Sequence, residues 1–102
     1  MSKSDKRLTP IHPGEILLED FMKPFGISMN RLARDLDVPP TRIHGIIHGK
    51  RAITADTALR LGSYFDVSPE TWLGLQLEYD IRVAKRRTGE TIARKVRRRE
   101  AA

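Results

Sequence analysis

The chain has 102 residues, 19 Lys+Arg against 13 Asp+Glu for a net charge of +6, and no cysteine. That length holds one domain; the missing cysteine excludes a disulfide framework and a Cys-ligated zinc site; no apolar run is long enough for a membrane span, and the start lacks a signal-peptide core. These features fit a protein of the reducing cytoplasm, with no membrane partner and a polyanion as the expected ligand.

The positive charge is unevenly spread. Residues 82–102 carry 9 basic and 2 acidic side chains, whereas residues 1–81 carry 10 and 11. A basic binding face on the body therefore has to come from clustering, and the C-terminal stretch is a separate matter.

Residues 1–10 are polar and expected to form a flexible N-terminus. IHPGEILLEDFMKPFG predicts a first helix, with Pro13 early, Glu15 in the first turn and an inward stripe of Ile16, Leu17, Phe21 and Met22. Pro24 and Gly26 end it. ISMNRLARDLDV predicts a second helix capped by Ser28 and burying Leu32, Ala33 and Leu36. After the short Asp37-Val38 connection, two prolines place the start of a third helix near Pro40. It buries Ile43, Ile46 and Ile47 and stops at Gly49. ITADTALRLGSYFDV predicts a fourth helix, capped by Thr54, with Ala58, Leu59, Leu61 and Phe65 in the core.

A fifth helix starts at Ser68-Pro69-Glu70. LGLQLEYDIRV alternates apolar and polar residues as a strand does. Read as a helix it carries two stripes: Trp72, Leu75, Tyr79 and Val83, then Leu73, Leu77 and Ile81. The strong start signal and the lack of any strand to pair with favour the helix. Two apolar stripes call for two packing partners, the chain's own body and a second copy. The fold class expected is all-α, a compact five-helix bundle over residues 11–87, with a basic tail over 88–102 that is a short helix or disordered.

A helix, a very short turn and a second helix form the arrangement that sets the second helix in the DNA major groove. With three isoleucines facing inward, Thr41, Arg42, His44, Gly45 and His48 are left outside. Arg42 can fork onto guanine O6 and N7, and Thr41 can meet a base edge or a thymine methyl. His44 can bond a base or phosphate, or simply be solvated. His48, at the helix end, can instead cap carbonyls. Gly45 costs helix propensity, and either close approach to DNA or tolerance of a small residue accounts for it. Lys50 and Arg51 follow where phosphates would lie, unless they form an ordinary solvated turn. The N–H groups after Ser28, with Asn30, make a phosphate site at the start of the second helix, although Ser28 is needed as a cap regardless.

His44 and His48 are also spaced to share a metal. A catalytic zinc site wants three protein ligands, only His12 remains, and the glutamate of an HExxH motif is absent because Gly45 follows His44. No Gly-rich phosphate loop or convincing carboxylate pair points to catalysis. No metal, cofactor or enzymatic activity is expected.

IHPGEILLEDFMKPFGIS, VPPTRIHGIIHGKRAITADTALRLGSYF and SPETWLGLQLEYD, in that order, resemble the HigA-type antitoxins of the phage-repressor-like (lambda-repressor-like) helix-turn-helix class, from about Ile11 to Val83. The resemblance implies a five-helix bundle that forms a homodimer through its C-terminal helices and binds a palindromic operator in its own promoter. It also implies a HigB-type toxin partner, a small mRNA-cleaving ribonuclease. By position, it puts Pro40, Thr41, Arg42, His44 and Gly45 on the reading helix, Lys50 and Arg51 in the turn after it, and Trp72, Leu75 and Tyr79 on the dimer-forming helix. A stand-alone repressor of the same fold, without a toxin, is the alternative.

Overall fold

The computed structural model describes residues 9–100, so most of the N-terminal segment expected to be flexible lies outside the described residues. Five helices and their connections make up the fold, and no strand occurs among the described residues. The alternating stretch after Gly74 is helical.

α1 starts at Pro13, whose missing N–H costs nothing in a first turn. His12 caps it, its Nδ1 accepting the Gly14 N–H at 2.9 Å. Ordinary α-helix covers only Pro13–Ile16, then Leu17–Met22 form a π-helical turn and Lys23–Phe25 a 3₁₀ turn. The wider turn brings side chains five apart onto one face, and Leu17 and Met22 are both buried. Phe21 lies beside them, its ring 4.8 Å from Trp72 and 5.2 Å from Phe65.

α2 (Met29–Leu36) is capped by Ser28, whose Oγ accepts the Arg31 N–H at 3.0 Å. Its inner face is Leu32, Ala33 and Leu36. Asp37 closes it at φ 60, a left-handed conformation that Asp tolerates better than most residues. Buried Val38 then leads through Pro39 into α3 (Pro40–Ile47), whose Ile43 and Ile46 are fully buried, with Ile47 partly so. Gly49, at φ 73, turns the chain away. Gly14 fits α1 against α3: a Cβ there would collide with the Ile46 carbonyl oxygen.

α4 (Ala55–Phe65) is capped by Thr54 and buries Ala58 and Leu61. Leu59 departs from the sequence expectation. It is 60 % exposed, because a residue one step from Ala58 is turned about 100° round the helix, off the inner face.

α5 (Pro69–Lys95) is 27 residues long. The stretch expected to begin a separate tail at residue 88 continues this helix as far as Lys95. Its weakest helix former there, Gly89, costs about 1 kcal/mol, and Glu90, Ala93, Arg94 and Lys95 beyond it favour the helix. Trp72 is wholly buried in the core with Leu17, Met22, Leu32 and Leu61. Buried Gln76 joins α5 to the chain before α4: its Oε1 accepts the Ile53 N–H at 2.7 Å, and its Nε2 donates to Asp80 at 2.9 Å. Past Val83 almost every side chain is exposed. No described helix is long and apolar enough to cross a membrane.

Candidate nucleic-acid interface

α2, the three-residue turn and α3 have helix-turn-helix geometry, held from below by Leu32, Leu36, Ile43 and Ile46. The outer side of α3 carries Thr41 and His44, both exposed, with Pro40 at its first position. His48 ends the helix. Its Nδ1 lies 2.8 Å from the His44 carbonyl, and since a carbonyl only accepts, that nitrogen carries the hydrogen. His48 thus caps α3 while exposing Nε2. The two imidazoles stand 6.2 Å apart, and among the described residues no group of three or more His, Cys, Asp or Glu is placed to hold a metal.

Gly45 has a local explanation. Its carbonyl accepts the N–H groups of Lys50 and Arg51 at 2.8 and 3.1 Å. The Arg51 side chain folds over it, so that a Cβ would lie 2.5 Å from Arg51 Cδ. The glycine makes room for Arg51. Lys50 and Arg51 are exposed on this turn, and at the start of α2 so are Ser28 and Asn30, with the Ser28 hydroxyl engaged as the cap.

The Arg42 side chain is only 28 % exposed, and its Nη1 donates to Asp56 Oδ2 at 2.6 Å. The same oxygen accepts Arg60 Nε at 2.9 Å, and Arg60 Nη1 reaches the Leu36 and Asp37 carbonyls at 2.8 and 3.3 Å. Arg60, then Arg42, hold the Asp56 carboxyl below the usual carboxylate range. Arg42, Arg51, Thr54, Asp56 and Arg60 line one shallow hollow. Sequence reasoning missed Asp56 and Arg60. Their i,i+4 spacing was a visible signal, but a link to Arg42, fourteen residues away, leaves no local trace.

His12 was missed in a similar way. Besides capping α1, it bonds the Arg51 backbone and packs edge-on to Tyr79 at 4.9 Å. Burial lowers its pKa from 6.5, against the Arg51 bond and nearby Asp80, which raise it.

One of the residues expected at a dimer interface needs correction. Trp72 is 0 % exposed within one chain and has no surface to offer a partner. Its bulk is what closes the core over α1. Leu75 and Tyr79 are half-buried and line a groove with Thr9, Pro10, Ile11 and Ile16. Exposed apolar surface on α5 includes two members of the other stripe, Leu77 at 59 % and Ile81 at 46 %.

A family model described as helix-turn-helix matches residues 18–72. Virulence-associated protein I of Dichelobacter nodosus is 51 % identical over 75 residues, covering 74 % of this chain and 69 % of that protein. Among solved structures, an addiction module antidote protein of a HigA family from Coxiella burnetii superposes with TM-score 0.84 and 47 % identity, covering 88 % of this chain and 98 % of that one. The Pseudomonas aeruginosa antitoxin HigA, solved with higBA promoter, gives 0.85 and 43 %, covering 87 % and 97 %. The family is a DNA-binding class without enzymatic activity. By sequence and by structure, the chain belongs to the helix-turn-helix family and to its HigA-type antitoxins.

Proposed function

We propose that this protein is a cytoplasmic antitoxin and autorepressor: as a homodimer it binds a palindromic operator in its own promoter, and it neutralises a HigB-type mRNA-cleaving toxin. The observation that carries the DNA half is the outer side of α3, where Thr41, Arg42 and His44 stand together with Lys50 and Arg51 just beyond. Arg42 and Thr41 read base edges, while Lys50, Arg51, Asn30 and the first N–H groups of α2 hold phosphates and set the register. The Pseudomonas aeruginosa relative solved with promoter DNA supports this reading.

The dimer half rests on the exposed Leu77 and Ile81 of α5. A two-fold pairing along this stripe buries both side chains, and two reading helices about 34 Å apart match a palindrome. Trp72 supports α5 from inside the chain.

The test is a titration of the purified protein against its own upstream DNA and a scrambled fragment at two salt concentrations, with light scattering for mass. Preference for the upstream fragment by a species of twice the chain mass is expected. Equal, salt-sensitive binding to both fragments would leave only the basic end of α5 at work and overturn the reading-helix assignment. Co-expression with a HigB-type ribonuclease tests the antitoxin half: growth should be restored and the two proteins should co-purify.

A further inference from the structure

We propose that Asp56, on α4, is a specificity-determining positioning residue: it holds the Arg42 guanidinium so that one edge faces a guanine, and keeps the side chain from swinging onto phosphates. This inference rests on the DNA-binding reading above. Asp56 Oδ2 takes Arg42 through Nη1 alone, at 2.6 Å. The Nε/Nη2 edge is left, and its two parallel N–H donors match guanine O6 and N7.

The holder is itself held. Arg60 donates to the same Oδ2 and reaches across to the carbonyls that end α2. One carboxylate oxygen thereby connects the reading helix, α4 and the turn of the helix-turn-helix. An unrestrained arginine samples many rotamers, loses them on binding, and satisfies a phosphate as readily as a base. Restraint reduces that loss for the guanine contact only. A carboxylate at this place also repels backbone phosphates, so weaker binding to unrelated sequence accompanies sharper base choice.

The test compares the full chain with Asp56→Ala, Arg42→Ala, the double variant and Arg60→Ala. Each is titrated against the upstream and the scrambled fragment, with circular dichroism to verify folding. Asp56→Ala should lower the preference for the upstream fragment about tenfold, while affinity for the scrambled fragment stays level or rises. In the Arg42→Ala background, Asp56→Ala should lower that preference no further. Arg60→Ala, which removes the second hold on Asp56 but spares Arg42–Asp56, should lower the preference in the same direction by a smaller factor, about threefold. An unchanged preference in Asp56→Ala overturns the proposal and leaves the DNA reading intact. So does equal weakening on both fragments, or an undiminished effect without Arg42. A wild-type protein with no preference at all overturns the DNA reading itself, and this inference with it.

Discussion

One guanidinium at Arg42 serves both as an internal ion pair and as the proposed base contact. Arg42→Ala should therefore cost operator affinity about 1–3 kcal/mol and relax the base preference at one position of each half-site. Lys50→Ala is the contrasting case. Its side chain is exposed beyond α3, so binding should weaken on all DNA alike and the salt slope should fall by about one unit. His12 supplies a pH prediction. Burial holds its pKa below 6.5, so the unfolded chain takes up the proton first as pH falls. Stability is then full above about pH 6.5 and declines as pH drops below it towards the folded-state value. Thermal midpoints between pH 7.5 and about 5.5 should fall for wild type and stay flatter for His12→Asn, whose side chain still caps α1 but does not titrate. The sequence made the outward residues of α3 legible, because three isoleucines at helical spacing fix which side faces in. It could not reveal what those residues touch, since Asp56 comes to Arg42 only through the packing of α4.

At the scale of the element, the tightest fit is where α1 crosses α3. Gly14→Ala puts a methyl group against backbone that has little room to yield, the Ile46 carbonyl. Loss of about 1–3 kcal/mol is expected, read as a lower thermal midpoint, and weaker operator binding should accompany it because α3 is what gets displaced. The helix starts were readable because capping is local: Ser28, Thr54, Pro13 and Pro69 announce themselves within three or four residues. The π-helical turn at Leu17–Met22 was not, because the same apolar residues also satisfy an ordinary helix and only Trp72 and Phe65 opposite decide between them. The two stripes of α5 were legible as stripes. Which one faced inward was not, because that depends on where α1 and the segment before it lie.

For the whole molecule, the exposed Leu77 and Ile81 and the segregation of charge are the features that matter. Leu77→Glu should leave the single chain folded, because the side chain is more than half exposed, yet shift mass from two chains to one in light scattering. Operator affinity should fall with it, as two linked half-sites become one. If Leu77→Glu stays at the mass of two chains, the pairing lies elsewhere. The charge imbalance was plain from the sequence. The fact that the basic residues after Arg82 ride on a continuous helix as far as Lys95 was not, because nothing local distinguishes a helix end from a polar continuation.

Gln76 and His12 tie the turn after α3 to α5 and to the start of α1, through the Ile53 and Arg51 backbones. Leu77 is the very next residue on α5. In the proposed dimer, the seam between copies and the loop that touches phosphate therefore move as one body, with no hinge between them to absorb a change of spacing. Inserting a single base pair between the operator half-sites displaces one of them by about 3.4 Å and turns it by roughly 35°. A rigid pair of reading helices cannot follow, and affinity for that spaced operator should drop to that of an isolated half-site.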